Sequence, residues 1–300
     1  PSSLVGSEMC IRDRLLEEDQ VGVVRVTHDI GEESRVGTFF SYGDPRTNRD
    51  NAVVGVDFDF KNSQLGDGYD QINVKVYELM SQNDAGTHAH AFGAWLNAPN
   101  EPFSYRASLR QIDELFEPAQ GFVKRPGTRR ATVGVQYEFY PDEIPWLREY
   151  SLETSAVIIT DLENQTESAE WVPLEFAVDF ESGDEFLIFP EWNREVLDRP
   201  FDITNNITIP AGSYDFSRLV VEIESSSHRP VSLELAGRVG EFYDGYRHGL
   251  SSELEWRPSA YWGMDAEVEW DLVDLPHGEF DVVVGQVGFR VTPNSKLSWN

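Results

Sequence analysis

Two histidines are the residues of this sequence whose type and spacing first suggest metal chemistry. His88 and His90 lie two positions apart in THAHAFG, so on a β-strand they share one face. Imidazole is a common zinc ligand, but zinc takes a third and a fourth ligand, and no spacing in the sequence identifies them. We therefore predict no metal site and no cofactor, and we assign the two histidines to a polar, water-facing wall of the fold or to a loop.

Carboxylates are the second group that could do chemistry. A glycosidase needs two of them at a set separation, which sequence spacing alone does not give. Alternating acids are also expected on any strand with a wet face. The sequence has no serine in a nucleophile elbow and no glycine-rich phosphate loop. We predict no catalytic residues and no enzymatic activity, with a glycan-active enzyme as an alternative.

The segment FEPAQGFVKRPGTRR is the one locally basic stretch of the chain and the best candidate for a functional element. Its cations can pair with carboxylates, and its phenylalanines can anchor it. If these contacts fold the loop back over the strands that carry the carboxylates, the loop constricts the space that those strands enclose. The other interpretation is a surface loop whose cations only balance nearby charge. The candidate constriction residues are Phe116, Glu117, Pro118, Gly121, Phe122, Lys124, Arg125, Arg129 and Arg130.

Strict alternation of apolar and polar residues identifies the elements that must position these side chains. In GMDAEVEWDL the apolar residues occupy even positions and the acids odd ones, and VVGVDFDFK and TVGVQYEFY repeat the scheme. A period of two indicates half-buried strands. Only LRQIDELF hints at a helical period. The acids expected on the wet face are Asp57, Asp59, Glu222, Glu224, Glu253, Glu255, Glu267, Glu269 and Asp271.

The strands and their connections predict an antiparallel up-and-down transmembrane β-barrel. We count about sixteen strands, several longer than the 5–6 residues typical of soluble sheets. In the C-terminal half tight turns at 181–184, 257–262 and 292–295 alternate with longer polar loops at 161–168, 193–214, 243–249 and 273–279. Aromatic residues near strand ends are candidates for interfacial girdles: Tyr140, Trp146, Tyr150, Tyr243, Tyr246, Tyr261, Trp262 and Trp299.

Composition restricts the partners. The 53 acidic and 24 basic residues give a net charge of −29, which argues against nucleic acid and against a polybasic membrane contact. Apolar residues make up 40% of the chain, too many for a disordered acidic tail. No apolar run approaches the roughly 20 residues of a membrane-spanning helix. An alternating membrane strand remains compatible with this composition.

The stretch LVGSEMCIRDR, Leu4 to Arg14, has neither a signal-peptide pattern nor an amphipathic one. Codon by codon it resembles a transposase adapter used in sequencing libraries, with every residue from Leu4 to Asp13 fitting one reading frame. We therefore expect residues 1–14 to be a non-native scar and residues 15–300 to be one fragment of a β-barrel domain. Cys10, the only cysteine, then carries no information on disulfides or redox state.

Several segments resemble the DUF5916 family in the same order. ELFEPAQGFVKRPGTRR is similar to a family loop with the pattern F-N-P-x-x-G-F-x-x-R, although Glu117 stands where the family often has Asn. The other similar segments are RVTHDIGEESRVGTFFSYGD, NAVVGVDFDF, IPAGSYDF, GEFYDGYRHGL and VGFRVTPNSKLSWN. The resemblance implies an outer-membrane β-barrel of Gram-negative bacteria that follows a family 9 type carbohydrate-binding-like domain. It further implies that this sequence is an internal piece of such a protein.

Three functions remain open, and we favour the first. It is an outer-membrane barrel with an acidic lumen, a scaffold or conduit associated with surface carbohydrate binding or uptake. Its partners would be the lipid bilayer of the outer membrane and, through an upstream domain, carbohydrate. The second is a soluble secreted β-sandwich or open-sheet binding module. The third is the glycan-active enzyme.

Overall fold

A computed structural model describes residues 21–45, 50–65, 70–204, 206–294 and 297–299. They form only strands and connections, and no helix among them could cross a lipid bilayer. The strands are β1 (Gly22–Ile30), β2 (Ser34–Tyr42), β3 (Asn51–Leu65), β4 (Asp70–Asn83), β5 (His88–Ala98), β6 (Phe103–Ile112), β7 (Thr128–Phe139), β8 (Leu147–Asp161), β9 (Thr166–Phe180), β10 (Glu185–Leu197), β11 (Phe201–Thr204), β12 (Ile207–Ile209), β13 (Gly212–Glu224), β14 (Val231–Phe242), β15 (Gly245–Ser259), β16 (Trp262–Leu275), β17 (Gly278–Asn294) and β18 (Leu297–Trp299).

Sixteen of these strands form one antiparallel sheet in which each strand pairs with its neighbours in the chain. The two exceptions, β11 and β12, form a small hairpin within the connection from β10 to β13. The predicted all-β class and up-and-down order are confirmed. Among the described residues no ladder joins β1 to β17 or β18, so closure into a barrel remains a prediction.

The strand registers separate the predicted acidic residues from the apolar ones. The nine acids expected on the wet face all project from one side of the sheet, which we call the acidic face. The other side, the apolar face, carries the alternate residues of each strand. Its members include Val26, Val56, Leu109, Val133, Ile158, Leu219, Val239, Leu250, Val268 and Val287.

No second sheet covers the apolar face among the described residues, and large apolar side chains on it are between a third and two thirds exposed. The sheet is therefore a single layer. These strands do not form a β-sandwich of two sheets packed face to face, which was one form of the soluble binding module.

Connections leave the sheet at two rims. The first rim holds the connections 31–33, 99–102, 140–146, 181–184, 225–230 and 260–261, and the second rim holds those between β4 and β5, β6 and β7, β8 and β9, β10 and β13, β14 and β15, and β16 and β17. Two connections of the second rim are long, residues 113–127 and 198–211. The loops expected at 243–249 and 273–279 are instead two-residue turns, because the flanking strands stay paired up to Phe242–Gly245 and Leu275–Gly278.

Four other predictions depend on particular segments. LRQIDELF is not a helix, since β6 runs to Ile112 and the loop follows. The interpretation of residues 1–14 as a scar lies outside the described residues, as do the side chain of Trp299 and the end of the turn at 292–295.

Candidate functional site

The loop 113–127 between β6 and β7 lies on the acidic face near the second rim. Phe116 is only 6% exposed and packs in a cluster with Val53 of β3, Ala89 and Ala91 of β5, and Ile112. The registers place these four strand residues on the acidic face. The aromatic side chain thus finds an apolar patch on an otherwise polar surface and holds the loop there.

Buried polar side chains fix the loop backbone over this patch. Asn51 donates from Nδ2 to the Glu117 carbonyl at 2.8 Å and accepts at Oδ1 from the Ala119 amide at 3.1 Å. The Ser81 hydroxyl accepts from the Glu117 amide at 3.2 Å. Asn51 and Ser81 are 6% and 2% exposed, so losing these bonds would leave buried polar groups unsatisfied. The loop is a fixed layer on the sheet.

Further bonds join the loop to the strand ends. Gln120 donates from Nε2 to the carbonyls of Tyr42, at 2.6 Å, and Gly43, at 3.1 Å. Asp113 accepts at Oδ2 from the His90 amide at 2.9 Å. A turn closes where the Gly121 amide donates to the Pro118 carbonyl at 2.8 Å.

Position 117 acts through its backbone. Its amide and carbonyl make the bonds to Ser81 and Asn51, whereas the Glu117 side chain is exposed.

Two of the candidate residues do not have the roles expected of them. Phe122 is 86% exposed and does not anchor the loop; after the Pro118–Gly121 turn its neighbour Val123 faces the Phe116 cluster instead. Arg129 belongs to β7 and pairs across the ladder with Gln111, which places both on the apolar face. Its guanidinium contacts the amide oxygens of Gln111 and Asn164 rather than carboxylates of the acidic face.

The remaining cations lie as follows. Arg125 forms an ion pair with Glu167 of β9 at 2.8 Å, and its charge also acts on Glu195 of β10. Arg130 projects from the acidic face, opposite Arg110 of β6, and Lys124 is exposed. Arg125 thus extends the reach of the loop from β6 and β7 to β9 and β10.

A continuous row of carboxylates crosses the acidic face near the first rim. Seven acidic residues on seven neighbouring strands lie directly opposite one another in register: Glu149, Asp179, Glu185, Glu224, Glu234, Glu253 and Glu267. We call them the carboxylate row. Like charges directly opposite each other destabilise a sheet, so the carboxylate row lowers the stability of the fold. The sequence showed the acids, but only the registers show that they form one line.

Most cations of the acidic face pair with acids that lie outside the carboxylate row. Arg25 pairs with Asp57 at 2.9 Å and Arg247 with Asp271 at 2.6 Å. Further pairs are Arg106 with Glu153 and Arg218 with Glu191. Within the carboxylate row, Asp179 has a cationic neighbour in Arg148 at 3.2 Å. Charge on this face is therefore largely paired outside the carboxylate row and mostly unpaired along it.

Glycines on the acidic face are covered by side chains of the neighbouring strand. A Cβ built at Gly93 would lie 2.6 Å from the ring of Tyr77, and one at Gly37 would lie 2.7 Å from Asp57. Gly237 and Gly285 on the apolar face have nothing within 3.4 Å. The crowded glycines are Gly37, Gly55, Gly93, Gly134, Gly249 and Gly288. Side chains crowd on the concave side of a curved sheet, so this asymmetry favours curvature toward the acidic face.

Aromatic residues cluster near the ends of the strands. At the first rim Trp146 stacks near Phe180 with centroids 5.9 Å apart, and Trp256 meets Trp262 edge-on at 5.0 Å. Tyr246 is exposed at the second rim. Tyr243, expected in a girdle, packs instead beside Phe242 in a cluster under the β11–β12 hairpin.

A salt-bridged turn closes the first rim between two hairpins. Arg229 and Ser182 hydrogen-bond to the carboxylate of Asp184, which also accepts from the Ser226 amide at 3.0 Å. These bonds, with that to Arg229 the strongest, hold the pKa of Asp184 well below its usual value.

The two histidines belong to β5 and project from the apolar face, so the position expected for them, on a polar wall or in a loop, is wrong. His90 lies with Nδ1 2.7 Å from Oε1 of Glu78, its diagonal neighbour on the apolar face. Within the ranges that the structure describes, no three His, Cys, Asp or Glu side chains are grouped in a way that could hold a metal ion.

Comparisons of this chain with protein-family models, with curated proteins and with solved structures give no match.

Proposed function

We propose that this chain forms the wall of an outer-membrane β-barrel whose acidic face lines a water-filled interior and whose apolar face contacts lipid. The observation that carries the proposal is the single-layer sheet with one exposed apolar face and one charged face. Soluble monomers rarely expose contiguous apolar patches larger than a few hundred Å². Strands that alternate apolar and polar residues over this length are typical of membrane barrels.

The carboxylates of the acidic face must be solvated by water, just as the side chains of the apolar face must be shielded from it. Burying unpaired carboxylates in a dry interior costs several kcal/mol per ion, which excludes a packed core on this side. The covered glycines support a sheet that curves toward the acidic face. A closed barrel of about sixteen strands is wide enough for an aqueous channel.

The rims suggest an orientation. Outer-membrane barrels have short turns on the periplasmic side and longer loops outside the cell. By this criterion the second rim, with the connections 113–127 and 198–211, faces outward, and the carboxylate row lies toward the periplasm. The association with surface carbohydrate rests on the resemblance to the DUF5916 family and would belong to an upstream domain. In this proposal the barrel serves as scaffold and conduit, with the loop 113–127 as a constriction.

Membrane insertion is tested with the purified chain and liposomes of phosphatidylcholine and phosphatidylglycerol. We expect the protein to float with the vesicles after a carbonate wash and to migrate faster on a gel when unheated than when boiled. A chain that is monomeric and soluble without detergent, and that stays at the bottom of the gradient, would be the open-sheet binding module instead.

The carboxylate row predicts selectivity for cations. Clefts lined by charge of one sign focus the field and enrich counter-ions. In planar bilayers under a KCl gradient, we expect the reversal potential of the wild type to indicate a preference for K⁺. Replacing Glu224, Glu234 and Glu253 by Gln should move that potential toward zero. The control neutralises three acids of the connections, Asp142→Asn, Glu143→Gln and Glu163→Gln, and should leave it nearly unchanged. Equal shifts in both variants would contradict a role for the row.

A further inference from the structure

The connection 198–211 also folds back onto the sheet, although the sequence pattern marked it only as a long polar loop. Ile207 and Ile209 of β12 are almost fully buried, and they pack against Val273 and Leu275 of β16. The registers place Val273 opposite Arg247, on the acidic face. The hairpin therefore covers the same face as the loop 113–127, at the same rim.

The hairpin spans several strands. It leaves β10 after Leu197, and its buried isoleucines share one apolar cluster with Tyr214 of β13, Phe242 of β14 and Phe280 of β17. The Tyr214 hydroxyl donates to the Pro210 carbonyl at 2.8 Å, fixing the return of the chain into β13. A side chain of Ile207 also lies so close to Gly278 that a Cβ there would be 2.9 Å away. These contacts carry the hairpin from β10 across to β17.

The two covers together extend over most of the sheet at the second rim. The loop 113–127 contacts residues of β2 to β6, and the hairpin contacts residues from β10 to β17. Arg125 lies between them, paired with Glu167 of β9 at 2.8 Å. The carboxylate row at the other rim has no such cover among the described residues.

We propose that the β11–β12 hairpin is a second inward-folded cover which, with the loop 113–127, narrows the second-rim end of the acidic passage and sets its size limit. The inference rests on the proposed function, because a size limit has meaning only for a conduit. It makes the interior a vestibule that is open at the first rim and narrowed at the second. Small hydrated cations fit such a passage, and bulky solutes do not.

Cysteine accessibility tests the cover without requiring a membrane. In a Cys10→Ser background, Val273→Cys lies under the hairpin, and Glu253→Cys lies in the carboxylate row as the matched control. A cationic methanethiosulfonate reagent should modify Val273→Cys about tenfold more slowly than Glu253→Cys, because the packed hairpin must open first. Equal rates in the intact protein would overturn the inference.

Removing the hairpin tests its effect on passage. Leu197 and Gly212 are cross-strand partners, so Asn-Gly in place of residues 198–211 gives a two-residue hairpin turn of the favoured type. We expect this variant to expose Val273→Cys and to conduct several-fold more than the wild type. Ile209→Asp keeps the chain length but places a charge in the apolar cluster and so should detach the hairpin from the sheet. It should therefore also raise the modification rate of Val273→Cys and the conductance.

The two proposals fail in different ways. A chain that does not enter liposomes refutes the membrane function, whatever the cysteine rates. A chain that enters them, but whose conductance is unchanged by the shortened connection and by Ile209→Asp, refutes only the size limit set by the hairpin.

Discussion

At the scale of single residues, side-chain packing on the acidic face depends on glycines as well as on ion pairs. Tyr77 lies flat on the sheet because Gly93, its cross-strand partner, has no side chain. Arg106 lies over Gly134 in the same way, and so is placed to pair with Glu153 two strands away. A glycine that weakens a strand by itself thus lets a large neighbour cover the acidic face.

This packing predicts an asymmetry between the two faces. Gly93→Ala should destabilise the fold by about 1–3 kcal/mol, since the new methyl overlaps the Tyr77 ring. Gly237→Ala on the apolar face, where a Cβ meets nothing within 4 Å, should be neutral or slightly stabilising. Urea unfolding of both variants measures the difference. If Tyr77→Ala does not rescue Gly93→Ala, the overlap is not the cause.

At the scale of elements, two connections of one rim behave as parts of the fold. Each places an apolar anchor, Phe116 or Ile209, into an apolar patch of a charged surface. The loop 113–127 adds buried polar bonds from Asn51 and Ser81, and the hairpin adds its own small ladder. A connection packed in this way should open only with a free-energy cost similar to that of opening the strands beneath it.

The loop offers a matched pair of phenylalanines for a test. Phe116→Ala should cost about 3–5 kcal/mol, because a buried aromatic side chain leaves a cavity. Phe122→Ala should change stability by no more than about 0.5 kcal/mol, because its ring is in solvent. Limited trypsin digestion at Lys124 gives an independent readout and should accelerate only in Phe116→Ala. Similar cleavage of both variants would show that Phe116 does not hold the loop.

At the scale of the whole molecule, the two faces make opposite demands on their surroundings. The apolar face is exposed along strands that lie throughout the sheet, and the acidic face carries charge that only water or ions can solvate. A bilayer outside and water inside meet both demands at once. The proposed function follows from this pairing of faces, and not from a local group of reactive residues.

Adjacent residues on β15 separate a membrane wall from a soluble sheet. Leu250 is half exposed on the apolar face, and Ser251 follows it on the acidic face. In a bilayer Leu250→Arg should cost up to about 2–4 kcal/mol, the range for a lipid-facing cation at the midplane. Ser251→Arg should be tolerated. Folding yield into liposomes measures both. In a soluble sheet the order would not hold, because Arg at an exposed site such as Leu250 changes stability little.

The sequence by itself determined the strand class, the up-and-down order and the side of the nine acids expected on the wet face, because a period of two fixes which residues share a face. It also marked the segment from Phe116 to Arg130 as unusual. It misjudged Phe122 and Arg129, because their direction depends on a turn and a ladder register that composition does not encode.

Only the tertiary structure decided how the acids and the long connections are arranged. The strand register places residues that are far apart in the sequence, such as Asp179 and Glu253, in one line across the sheet. That register depends on every hairpin between them. The burial of Ile207 and Ile209 depends on a patch that β16 contributes some sixty residues later in the chain. Contacts over that separation leave no periodic signal in the sequence, so the carboxylate row and the second cover become visible only when the strands are in place.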